Sequence, residues 1–276
     1  MQVIVTFTTR LMMRIMNDDL VGLAAQLSYF FLLSLFPFLF FLITLVGFLP
    51  IEQVDILRFL NNYAPTQTAE MINQNLSEIV SRRDGGLLSF GIIGTIWAAS
   101  NGINAIMRAF NSAYEVEEDR PFYLSRIISI VLTIAMIFVI VIAFLLPIFG
   151  KAIGVYLFSF VGLSNDFVDW WNMIRWIISS IVFFIVLLSL YKLAPNQFVS
   201  FHHAFPGAVF GTIGWQLVSL AFSYYVNTMG NYTAMYGSLG GVIVLMVWFF
   251  ISGMIIIIGG EINAEIEQIK KDQKGR

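Results

Sequence analysis

The stretch LGGVIVLMVWFFISGMIIIIGGEI, residues 239–262, carries no charge until Glu261. It is longer than the ~20 apolar residues a helix needs to cross a bilayer core. A backbone surrounded by acyl chains satisfies its N–H and C=O groups only as a helix or a closed barrel. Working outward, five further runs have the same character: 23–49, 87–110, 127–149, 174–191 and 208–226, the fourth being the shortest. None alternates polar and apolar residues as barrel strands do. The expected fold is therefore an all-α integral membrane protein, a single transmembrane domain over 1–276 with a bundle of about six transmembrane helices.

Composition supports this reading. Hydrophobic residues make up 58% of the 276 and charged residues 12%, about half the ~25% charge of soluble domains. With a mean hydropathy of +0.82, the polar residues are too few to cover a water-facing shell. A net charge of −2 gives no field that would gather nucleic acid, and none is expected as a partner; membrane lipids are. The absence of cysteine removes disulfides, thiolate metal sites and thiol catalysis. Residues Met1–Asp19 hold no continuous apolar core, so no cleavable signal is expected.

Lys and Arg set the expected orientation. With the N-terminus inside, ten of the 15 basic residues fall on the inner side, among them Arg10, Arg14, Arg108, Arg120, Arg126, Lys192 and a basic tail at 265–276. Both termini are thus expected in the cytoplasm and the chain multi-pass in the plasma membrane. Segment 51–84 then lies outside. There Ile72, Leu76, Ile79 and Val80 at helical spacing predict amphipathic helices on the membrane surface or capping the bundle. Leu11 and Ile15 with Arg10 and Arg14 suggest the same on the inner face. Trp170 and Trp171 read as interfacial anchors. The three-plus-three arrangement allows an inverted repeat, although its only echo is Gly94-Thr95-Ile96 against Gly211-Thr212-Ile213.

Polarity inside the spans carries the functional signal. Asn101, Asn104, Arg108 and Asn111 recur at three- and four-residue steps and share one face of the second span. Glu261 ends the long uncharged run of the sixth. Asn101, Asn104, Arg108 and Glu261 are the candidate cavity or gate, with an Arg108–Glu261 pair expected near the inner side alongside Gln26 and Lys192. A snorkelling arginine and an interfacial glutamate are the plainer alternative. Pro37 removes a backbone donor within the first span, which predicts a kink. Gly207, Gly211 and Gly214 with Ala204 and Ala208, and Gly237, Gly240, Gly241 and Gly253, predict close-packing faces. His202 and His203 are adjacent and diverge, a poor metal site. No catalytic, metal or cofactor motif is present, so an enzyme is not expected.

Several segments together resemble the YihY/BrkB family of bacterial inner-membrane proteins: LAAQLSYFFLLSLFP at 23–37, WAASNGINAIMRAFNSAY at 97–114, YKLAPN at 191–196 with FPGA at 205–208, NYTAMYGSLG at 231–240 and GEINA at 260–264. The resemblance implies a six-helix plasma-membrane protein. The family was formerly labelled ribonuclease BN, a label for which these residues offer no nuclease chemistry. The expected function is a transporter or exporter of a small zwitterionic or amphipathic solute or lipid. A non-transporting membrane scaffold or envelope-integrity protein is the alternative, and a lipid-modifying enzyme comes third. The substrate, the coupling ion and any homo-oligomer are left open.

Overall fold

The computed structural model describes residues 7, 9–14, 18–48, 85–138, 165–228 and 239–274. Among these described residues six long helices follow in order: α1 (Leu20–Phe48), α2 (Gly85–Ala113), α3 (Phe122–Phe138), α4 (Asn165–Leu193), α5 (Phe201–Thr228) and α6 (Leu239–Lys274). Residues 9–14 add a short helical stretch, and the described residues contain no strand. All but α3 are long and apolar enough to cross a membrane, so the chain is an all-α membrane bundle. The expected amphipathic segment 51–84, the second half of the third span and most of the 227–238 connection lie outside the described residues.

Helix ends differ from the expected span ends because apolar runs mark lipid contact, not helix length. Helix α4 begins at Asn165, nine residues before its apolar run, and α6 continues to Lys274 through what reads as a basic tail. Helix α1 runs unbroken through Pro37.

The bundle divides into two compact units, Phe31–Ala99 and the remainder. Within the first, α1 and α2 touch through small residues. A Cβ on Gly91 would lie 2.7 Å from the Phe41 backbone nitrogen, and one on Gly94 would lie 3.0 Å from the Pro37 ring. Thr95 and Thr44 return their hydroxyls to the carbonyls four residues back, which hides polar groups from lipid.

In the larger unit α5 turns small or polar residues inward and large apolar ones outward. On α5, Ile213, Leu217, Leu220 and Tyr224 form an exposed stripe at steps of four, three and four, while Ala204, Ala208 and Thr212 are buried. That is the inverse of a water-soluble helix and suits a lipid solvent. Helix α6 is central. Its half from Ser252 to Glu267 is buried on nearly every side, with Gly253 on Leu27 of α1, Gly259 on Tyr191 of α4 and Gly207 of α5, and Gly260 on Phe110 of α2. The Tyr191 hydroxyl donates to the Ile256 carbonyl at 2.8 Å.

Candidate functional site

Three of the four polar residues of α2 hydrogen-bond to separate parts of the chain. Arg126 of α3 donates to Asn101 Oδ1 at 2.8 Å. Arg108, exposed, donates to Gln26 of α1 at 2.7 Å. Asn111 donates to Glu118 and accepts from the Asn196 amide, both at 2.7 Å. Asn104 is half-buried. The expected Arg108–Glu261 pair is not formed: Arg108 turns to Gln26, and both Glu261 oxygens are buried without a hydrogen-bond partner. Helical rotation explains this. Phe110 is the α2 residue that faces Gly260 on α6, and two residues earlier the helix has turned by about 200°, which points Arg108 away.

The charge near Glu261 comes instead from the N-terminal stretch. Arg14 donates through Nε to Glu265 at 3.0 Å, through Nη1 to the Ala113 carbonyl at 2.5 Å, and through Nη2 to Glu115 at 3.1 Å and to Gln268. Arg10 reaches Asp272 at 3.1 Å and lies 3.8 Å from Glu265. The 9–14 stretch and the C-terminal part of α6 therefore meet at one end of the bundle. Glu265 sits four residues, one turn, beyond Glu261 and is 1% exposed, with Oε1 lacking a hydrogen bond. These groups wall a cavity of about 440 Å3 lined by Arg10, Met13, Arg14, Asp18, Glu115, Glu265, Gln268 and Asp272. Two guanidiniums face four carboxylates there, and Arg14 gives four of its five N–H donors to the protein itself.

Beside the cavity the α2–α3 connection is clamped. Glu118 takes Arg120 Nε at 2.5 Å and Asn111 at 2.7 Å, while Arg120 also holds the Ala194 carbonyl at 3.0 Å. The hydrogen bonds from Arg120, and secondarily Asn111, keep the Glu118 carboxyl below the usual carboxylate range, against a smaller opposing effect of burial. A lowered folded value means the clamp contributes fully above the unfolded value and is lost as pH falls through the folded one. Glu118→Gln should therefore melt earlier than wild type at neutral pH, by a small margin because the group is largely exposed. That margin should close in acid. Melting curves across pH check this, and a gap independent of pH would contradict it. At the same end the Tyr114 hydroxyl is buried and without a partner; burial, then Glu267 and Glu261, hold it above its ordinary range, so it remains a donor.

Sequence reasoning missed Arg14, Glu265, Asp18 and Tyr114. The available signal was the i, i+4 step from Glu261 to Glu265, which places both on one face if the helix continues. Ending the span at Ile262 hid it. His202 and His203 stand 6.1 Å apart by ring centroids, and His203 lies 3.6 Å from Glu267, which Lys271 also meets at 2.9 Å. The described residues hold no group of three His, Asp or Glu arranged to take a metal.

Comparison with known proteins places the chain. The family model for virulence factor BrkB matches residues 11–276. The ribonuclease-like protein YfkH of Bacillus subtilis is 52% identical over 90% of both chains. A UPF0761 membrane protein of Photobacterium profundum is 28% identical over 98% of this chain and 83% of its own, and one of Alteromonas mediterranea is 24% identical over 95% and 87%. No solved structure matches. With a match across nearly its whole length and a bundle of apolar helices to go with it, the chain belongs to the BrkB family of membrane proteins.

Proposed function

We propose that the protein is a transporter or exporter of a small zwitterionic or amphipathic solute or lipid, and not an enzyme. One observation carries the reading: a charged cavity at the end of the bundle whose wall includes Glu265 of a spanning helix, with Glu261 buried one turn deeper. Ionisable groups inside a membrane bundle are costly and are retained along solute and ion pathways. A cavity that mixes guanidiniums and carboxylates suits a ligand bearing both charges. The basic bias supports placing this end, with both termini, in the cytoplasm of a plasma-membrane protein. The ribonuclease-like name belongs to the Bacillus subtilis relative, and the candidate site here offers no nucleophile or metal-ligand set for that chemistry.

The scaffold reading has its own support in the α2 stripe, where Asn101, Arg108 and Asn111 are all hydrogen-bonded within the protein. Mass spectrometry of the solutes and lipids retained by cells separates the two. Cells lacking the gene should accumulate a small charged solute or lipid that wild-type protein clears and Glu265→Gln does not. Identical pools in all strains, with a leaky envelope in the deletion strain alone, would overturn transport in favour of the scaffold.

A further inference from the structure

We propose that Glu261 is a proton-binding site, reached from the cavity by way of Glu265. The proposal deepens the transport reading by naming its coupling ion, and depends on that reading only for the proton's use.

The Glu261 side chain has no exposure, and neither oxygen has a hydrogen-bond donor among the described residues. An ionised carboxylate there has lost its water and gained nothing in exchange, a cost proteins meet by adding a positive charge. The nearest guanidinium, Arg14, gives its hydrogen bonds to Glu265, Ala113, Glu115 and Gln268 and none to Glu261. A metal ion would need several oxygen ligands, and no such group exists among the described residues. A proton needs no coordination shell. The charged and titratable groups acting on Glu261 are Asp18 at the entry to α1, Arg14 from the 9–14 stretch, Glu265 on α6, and Tyr114 after α2.

The fold supplies a route. Glu265 lines the cavity with Oε1 free of hydrogen bonds, and lies one helical turn from Glu261 on the same face. A hydronium ion in cavity water gives its proton to the Glu265 carboxylate and leaves as water; that O–H bond then breaks as the proton passes to Glu261, and Glu265 is again ionised. The return path releases it to the same water, so no oxidant or second reactant is involved. The Tyr114 hydroxyl, buried and without a hydrogen bond among the described residues, lies within the electrostatic reach of Glu267 and Glu261.

Infrared difference spectroscopy of the full chain in lipid nanodiscs, titrated over pH without any solute, tests the site. Wild type should show a carboxylic-acid carbonyl band that Glu261→Gln abolishes and Glu261→Asp shifts. Glu265→Gln should retain the band with a displaced titration. If Glu261→Gln fails to fold, the Asp variant and wild type grown on isotope-labelled glutamate still assign the band. The same band in Glu261→Gln as in wild type overturns the site. So does its displacement by sodium in a pH-clamped buffer, which would make the ligand a metal ion. Should the band belong to Glu261 while retained solute pools never change, the proton site stands and transport falls.

Discussion

Arg14→Met is expected to destabilise the purified protein by about 3–5 kcal/mol, the scale of breaking a buried ion pair from one side. The guanidinium is 14% exposed and its partner Glu265 1%. Removing it strands a carboxylate within the bundle and frees the Ala113 carbonyl at the end of α2 together with Gln268. Arg10→Met is the natural comparison. Its bond to Asp272 joins groups that are 41% and 56% exposed, a surface pair contributing about 1 kcal/mol at most. The double variant Arg14→Met/Glu265→Met should recover most of the loss, since two apolar side chains replace the pair without leaving a charge behind. Thermal or denaturant unfolding in detergent reads all three. Equal losses for Arg14→Met and Arg10→Met would mean that Glu265 finds water when Arg14 is gone, and the buried pair would then drop out of the account.

How far the sequence reached can be judged helix by helix. The membrane class was legible because lipid demands long uncharged helices, a signal that survives without any knowledge of packing. The small-residue face of α5 was legible for a related reason: Gly207, Gly211 and Gly214 all stand within 3.1 Å of a neighbouring side chain or backbone once a Cβ is added. On α6 the match was partial. Gly253 does meet Leu27, Gly241 faces open space, and the closest approaches fall on Gly259 and Gly260, which the sequence offered only as flanks of Glu261. Partner choice was not legible. Arg108 and Glu261 were matched by depth along their helices, but depth does not specify rotation, and Phe110 occupies the side of α2 that meets α6. The N-terminal stretch reads as a helix that lies on the inner face or caps the bundle, because Arg10 and Arg14 alternate with apolar residues, but the pattern names no partner. Their real partners lie about 250 residues away at the end of α6, a contact that no local pattern encodes.

The packing of α5 on α6 yields the last expectation. A Cβ on Gly207 would sit 2.1 Å from the Gly259 carbonyl oxygen and 2.4 Å from Asn263 Nδ2. Neither obstacle is the free end of a flexible side chain. The carbonyl is helix backbone, and Asn263 is wholly buried with its amide bonded to the Gly207 N–H at 2.7 Å and the Ala204 carbonyl at 3.2 Å. Gly207→Ala therefore forces the helices apart at an overpacking cost of about 1–3 kcal/mol. It also disrupts the two Asn263 bonds, whose buried groups cost about 1–3 kcal/mol each when left unsatisfied. Gly214→Ala should be far milder, since its Cβ meets only the Ile255 methyl at 3.1 Å, and Gly241→Ala should be neutral or slightly stabilising because nothing lies within 4 Å. Unfolding midpoints ranked Gly207, then Gly214, then Gly241 in order of decreasing loss would support a rigid α5–α6 seam. A Gly207→Ala protein that melts with wild type would show instead that the two helices slide past one another freely. Glu261 and Asn263 would then no longer be held in a fixed relation by the seam beneath them.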